Sequence, residues 1–230
     1  MNLLPEDMIY EIGTFVSREN FRSLLSTSKK MKYSKYKYQY LSLNKKNSKL
    51  FASKNKKGKL FRSEVLLKIQ NPNKQLSLCF QNDRKIKDVS MLGNVHTLGL
   101  SSCSEITDVS MLGNVHTLDL SLCSGITDVS MLGNVRILNL SNCSNITDVS
   151  MLGNVHILNL RSCKGITDVS KLGNVYTLCL SFCKGITNVS MLGNVHTLDL
   201  SFCDRITDVS MLGNVYTMNL HDCYRRTDVY

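Results

Sequence analysis

The sequence predicts an α+β chain: a short helical N-terminal segment, then a solenoid of 20-residue units with a parallel β-sheet on its concave side. Three observations predict it. From Ile86 onward one phrase recurs every 20 residues, clearest in ITDVSMLGNVHTLDLSLCSG (106–125) and ITNVSMLGNVHTLDLSFCDR (186–205). A fixed period of this size marks short units that each bury one face on the next. Ahead of the repeats, apolar residues return at intervals of three and four, the spacing of helices that bury one side. The charge also divides there. Residues 1–75 carry 17 Lys/Arg against 5 Asp/Glu, whereas the remainder carries 11 against 13, so the net charge of +10 belongs to the part before the solenoid.

The first helix starts at Pro5-Glu6-Asp7, with proline in the first turn and acids at the positive end of the dipole. Met8, Ile9, Ile12, Phe15 and Val16 form its apolar face. A second begins near Asn20 and carries Phe21, Leu24, Leu25 and Met31. Tyr33, Tyr36, Tyr40 and Leu43 are spaced as a third. Helices this short need a partner, or the end of the solenoid, to bury those faces. Residues 1–44 are therefore read as one helical domain. Residues 45–74 follow as a basic connector and N-terminal solenoid cap. From Lys29 to Arg62 there are 13 basic residues and no acid. A solvated linker, a nuclear-localisation signal and a phosphate-binding patch all remain open for Lys45 to Arg62. Val65 to Gln70 reads as an extra strand before Leu76–Phe80.

Within one repeat, Ile106, Val109, Leu112, Val115, Leu118, Leu120 and Cys123 are expected to point inward. Twenty residues leave no room for a full helix on the convex side. A 3₁₀ turn or extended segment is expected from Val109 to Leu112, closed by Gly113-Asn114, residue types suited to positive φ. The recurring Asp (88, 108, 128, 148, 168, 208 and 228, with Asn188 substituting) is read as a cap that accepts backbone N–H groups, in preference to a cation-collecting ladder. Cysteines at 103, 123, 143, 163, 183, 203 and 223 form a column of equivalent packing thiols, which suits a reducing compartment, cytoplasm or nucleus. Cys79 and Cys179 stand outside the column and are the expected reactive thiols.

Histidines at 96, 116, 156 and 196 share one strand position, which spreads them along a line instead of converging them as zinc ligands. No nucleophile stands apart from the repeat, so no catalytic residue, metal or cofactor is expected. No run approaches the length of a membrane span. The opening segment has acids where a secretory signal has basic residues. Strand alternation should expose concave columns of small polar residues. Their exceptions cluster mid-array at Ile137, Ile157, Arg161 and Cys179, which together with Asn139 and Asn159 are the expected contact site for a target protein. The repeat that begins at Val215 stops at Tyr230 with Met218 and Arg226 at apolar positions, so a frayed end is expected.

The pattern Val115-x-x-Leu118-x-Leu120-x-x-Cys123-x-x-Ile126 resembles the leucine-rich repeat, with cysteine where many versions carry asparagine. Its CxxIT(D/N) continuation is similar to the cysteine-containing class found in F-box proteins, and DVSMLGN to the internalin type shortened by two residues. The resemblance covers residues 75–230, about seven repeats with the last truncated, and implies a right-handed coil with one short strand per turn.

Leu4-Pro5-Glu6-Asp7-Met8-Ile9-Tyr10-Glu11-Ile12, then Phe15-Val16 and Asn20 to Met31, resembles the F-box, with Asn20, Thr27 and Met31 departing from its pattern. Together the two parts resemble the F-box/leucine-rich-repeat proteins of giant amoeba viruses such as mimivirus. That resemblance implies a non-catalytic substrate receptor of a cullin–RING ubiquitin ligase. Leu4, Pro5, Met8, Ile9, Ile12, Val16, Phe21, Leu24 and Leu25 would dock the Skp-type adaptor, and the repeats would hold the target. A leucine-rich scaffold for protein, or for nucleic acid through the basic connector, is the alternative.

Overall fold

The computed structural model describes residues 40–43, 45–68 and 75–223. Eight strands are β2 (Gln75–Cys79), β3 (Thr97–Gly99), β4 (Thr117–Asp119), β5 (Ile137–Asn139), β6 (Ile157–Asn159), β7 (Thr177–Cys179), β8 (Thr197–Asp199) and β9 (Thr217–Asn219). They pair in parallel and in chain order, with β1 (Tyr40–Leu43) beside β2 at the edge. The register is one whole repeat. Leu98 lies against Leu118, Leu118 against Leu138, and so on to Leu198 against Met218. A slip of one residue would turn each leucine out of the core, so this repeat distance is enforced at each strand.

The sequence pattern accounts for the core. Leu118, Leu120, Cys123, Ile126, Val129, Leu132 and Val135 are all buried, as are their counterparts in the flanking repeats. The thiols do more than fill space. Cys143 Sγ donates to the Leu120 carbonyl at 3.1 Å, and that oxygen also accepts the Cys123 N–H at 3.2 Å. The same bond recurs from Cys163 to Leu140, from Cys183 to Leu160 and from Cys203 to Leu180. Each thiol thus ties a turn to the one before it, using a small weak donor that an apolar core tolerates.

The convex side is built of 3₁₀ turns, Ser110–Leu112 and its equivalents from Ser90–Leu92 to Ser210–Leu212. The glycine that follows corrects the expectation of positive φ: Gly113 has φ −61° and Gly133 φ −60°. Its lack of a Cβ is needed for space. A Cβ on Gly193 would lie 2.5 Å from the Met211 carbonyl oxygen of the next repeat, and at Gly113 and Gly133 nearer still to Met131 and Met151. Positive φ falls instead just before each column cysteine, at Ser102, Leu122, Asn142, Ser162, Phe182, Phe202 and Asp222, and at the equivalent Asn82 before Asp83 in the first repeat.

The N-terminal connector differs from its sequence reading. Tyr40–Leu43 is strand, not the end of a third helix. Residues 45–68 form helices α1 (Lys45–Ala52) and α2 (Lys56–Lys68), so Val65–Lys68 is helical where an extra strand was expected. Phe51 and Val65 join the core. Buried Ser48 donates to the Leu43 carbonyl and accepts the Cys79 N–H, both at 3.1 Å. Lys49 pairs with Asp83 at 2.8 Å and Lys54 with Asp88 at 2.5 Å. Part of the basic run is therefore spent on the first repeat. At the other end β9 is exposed along its length, and Met218 is 40% exposed. Arg226 lies outside the described residues.

Leu122, 51% exposed at φ 61°, carries backbone strain without the reward of burial. Leu122→Asn, the residue Asn142 already supplies at the equivalent place, should raise stability by about 0.5–1 kcal/mol in denaturant titration. Gly133→Ala should lower it by about 1–3 kcal/mol, because the obstacle is backbone and cannot swing away.

Candidate functional site

The aspartate column meets its expected role as a cap. Asp108, Asp128, Asp148, Asp168 and Asp208 each accept the N–H of the serine two residues on at 2.8–2.9 Å, and Asn188 does the same for Ser190 at 2.9 Å. Those backbone bonds hold the carboxyls below the ordinary aspartate range. In Asp88 the Lys54 ammonium adds the largest effect in the same direction. Shallow clefts recur between successive 3₁₀ turns, one of about 370 Å³ lined by Asp148, Asp168 and Lys171. They lie where, among the described residues, each repeat has a short 3₁₀ turn. Among the described residues no group of three or more His, Cys, Asp or Glu is placed to hold a metal ion.

The column that begins each strand forms ring stacks. His96 lies 4.4 Å from His116, and Tyr176 stacks on His156 at 4.9 Å and on His196 at 4.4 Å. His116 and His196 each place Nδ1 within 3.2 Å of the neighbouring threonine hydroxyl. Burial, helped by the neighbouring His116, pushes His96 down to about 4.

The structure changes the predicted target-contact set. Ile137 and Ile157 are only 4% and 7% exposed, so they offer a partner little surface. Strand alternation does place them off the leucine column, but their neighbours cover them. Asn139 and Asn159 turn the chain at the strand ends, each Oδ1 accepting the N–H two residues on, from Ser141 at 3.1 Å and Arg161 at 3.0 Å. Asp119, Asp199 and Asn219 make the same bond, so this column is architectural. Cys179 is half-buried, with Sγ 3.3 Å from Ser181 Oγ and 3.5 Å from Asp199 Oδ2, and burial raises its pKa. That removes the expectation of a reactive thiolate there. Arg161 remains exposed. Its guanidinium lies over the Phe182 ring at 4.5 Å, and Phe182 stacks on Phe202 at 4.3 Å. Sequence reading passed over both phenylalanines; the signal was two consecutive aromatics at a position otherwise held by Asn, Ser, Leu or Asp.

Leu4, Pro5, Met8, Ile9, Ile12, Val16, Phe21, Leu24 and Leu25 lie outside the described residues. Among those described, no helix is long and apolar enough to cross a membrane.

Solved structures share this architecture. The internalin inlF from Listeria monocytogenes matches with a TM-score of 0.50 and 26% identity, over 61% of this chain and 46% of that one. The fold is a leucine-rich-repeat solenoid. Internalin C2 of the same organism matches at 0.48 with 26% identity, over 64% and 70%. The functional domain of InlJ, described as including a cysteine ladder, matches at 0.35 with 19% identity, over 66% and 45%. The chain spans about half the length of the first of these. No protein-family model and no curated protein matches the sequence. A leucine-rich-repeat array of this kind suggests a protein-binding scaffold, because stacked repeats present an extended surface suited to binding.

The titrating groups bound the solenoid's stability from both sides. The aspartates bind protons more weakly folded than unfolded, so their contribution is present above about pH 4 and is lost as pH falls through the lowered folded values. His96 acts in the same direction between about 6.5 and 4. Column thiols are the reverse case. Burial pushes Cys123, Cys163, Cys183 and Cys203 up to about 12 and Cys143 to about 11. Unfolded thiols ionise near 8.5, so stability is lost as pH rises beyond that. Thermal unfolding followed across pH should give a plateau from about 6.5 to 8.5 with a decline on each flank. In native buffer at pH 8 the buried column should resist iodoacetamide, with labelling confined to Cys79 until denaturant is added; rapid labelling of several column thiols would contradict their burial.

Proposed function

We propose that the chain is a non-catalytic substrate receptor of a cullin–RING ubiquitin ligase. Its first 44 residues dock a Skp-type adaptor, and its solenoid holds the protein to be modified. The observation that carries this reading is the order of parts in the sequence: an F-box-like pattern from Leu4 to Met31 ahead of a leucine-rich array. Helix-in-groove docking depends on a few apolar anchors, and Leu4, Pro5, Met8, Ile9, Ile12, Val16, Phe21, Leu24 and Leu25 are of the type and spacing required. The receptor performs no bond chemistry. It raises the effective concentration of a target beside a transfer machinery held by other subunits. This work would take place in the cytoplasm or nucleus of a host cell, as the resemblance to proteins of giant amoeba viruses implies.

A second reading, a leucine-rich scaffold with no ligase link, draws on the departures from the F-box pattern at Asn20, Thr27 and Met31. Nucleic-acid binding through the connector is the weaker form of that reading, because Lys49 and Lys54 are paired with Asp83 and Asp88.

Co-purification with a Skp-type adaptor separates the two. The full chain should form a stoichiometric complex, and Leu4→Ala with Ile9→Ala should abolish it while the circular dichroism of the solenoid is unchanged. A double variant that still binds would remove the F-box reading and leave the scaffold.

A further inference from the structure

Phe182 lies between two repeats that treat its ring differently. Arg161, from the preceding repeat, lays its guanidinium over the ring, and Phe202, from the following one, stacks on it with an interplanar angle of 14°. His221 continues the series, tilted against Phe202 at 5.4 Å. The stack runs along the C-terminal ends of β6 to β9. Phe182 and Phe202 are half-buried and Arg161 is exposed. Neither phenylalanine is needed by the fold there, since Ser102 and Ser162 hold the same position with the same positive φ.

The charges around the stack are uneven. Nearby acids are engaged: Asp199 with the Ser201 N–H and the Cys179 thiol, Asp204 with Lys184 at 3.5 Å, and Asp222 with His221 at 3.0 Å. Lys164 and Arg205 are exposed and have no acidic partner among the described residues. Arg161 has one long contact from Nη1 to Ser181 Oγ at 3.5 Å, which leaves most of its N–H fork toward solvent.

We propose that this edge of the sheet, centred on Arg161, Phe182 and Phe202, is the target-docking surface, and that its partner is an acidic peptide segment carrying a large apolar side chain. A guanidinium held flat on a ring keeps its donor edge preorganised for a bidentate carboxylate. Ring edges carry partial positive charge, so the stack itself favours an acidic neighbour while its hydrocarbon accepts the apolar one. A stacked arginine and aromatic cluster is the usual composition of a binding hot spot. Bases of a nucleic acid would need open ring faces, and both faces of Phe182 are taken. The inference rests on the proposed function only in taking the repeats as the target-binding part; it stands or falls independently of adaptor docking.

The test uses the full chain to select from a phage-displayed library of random dodecamers. Enriched peptides should carry Asp or Glu flanking Phe, Leu or Met, and their affinity should fall as salt rises. Arg161→Ser, and Phe182→Ser with Phe202→Ser, should each weaken the selected peptides by about tenfold or more. Serine at these positions is a residue the fold already uses, so circular dichroism and thermal midpoint should change little. Ile137→Thr should leave binding unchanged. No enrichment, neutral or basic consensus sequences, or loss of binding in Ile137→Thr but not in Arg161→Ser would overturn the proposal.

Discussion

Stacking each residue on the one 20 positions later is the constraint from which the other features of the solenoid follow. The leucine columns at 98, 118, 138, 158, 178 and 198 pair at one whole period, and the thiol bonds from Cys143 to Leu120 and its equivalents join the same turns at the edge of the core. Identical side chains are thereby forced into columns. Whatever occupies a position is repeated as a line along the surface, so the fold makes ladders of carboxylates, rings and thiols without any of them being selected as a group. Most such ladders are architecture. The aspartates turn the chain into its 3₁₀ segment, and the asparagines and aspartates at 119, 139, 159, 199 and 219 turn it out of its strand. Function is therefore to be sought where a column breaks its own rule.

Two breaks stand out. One is Arg161, in a column otherwise held mainly by serine; the other is the Phe182–Phe202 pair, in a column of Asn, Ser, Leu and Asp. Because consecutive turns are fixed in register, these departures fall beside one another and form a stack. A rigid parallel array converts two local substitutions into a composite surface, which a flexible loop would not do. At the other end, α1 and α2 set Phe51 and Val65 in the core and Lys49 and Lys54 against Asp83 and Asp88. They close an end that a repeat would otherwise leave uncovered.

Much of this was legible in the sequence, because a period counts in one dimension and the solenoid is nearly one-dimensional. The inward positions of Ile106, Val109, Leu112, Val115, Leu118, Leu120 and Cys123 are buried as the pattern requires. The aspartate cap was legible as well, since Asn188 can replace an acceptor but not a charge. What escaped was set by neighbours one turn away. Gly113 is required by the Met131 carbonyl, a contact that no local turn preference reveals. Leu122 and Phe182 adopt positive φ against their own preference because the stacked turns dictate it. Ile137 and Ile157 look exposed by alternation, yet lateral neighbours cover them. Val65–Lys68 is apolar enough for a strand, but it closes a helix whose Val65 fills the end of the core.

The most direct test of the stacking account is a pair of deletions compared by far-ultraviolet circular dichroism and urea unfolding. Removing residues 126–145 takes out one whole period, so the chain should close up in register, keep its spectrum per residue and unfold cooperatively at a slightly lower urea midpoint. Removing residues 125–145 takes one residue more and breaks the register, and should cost most of the midpoint. If the two deletions were equally stable, or if loss of one whole period unfolded the chain, the claim that residue-on-residue stacking holds the solenoid together would be contradicted.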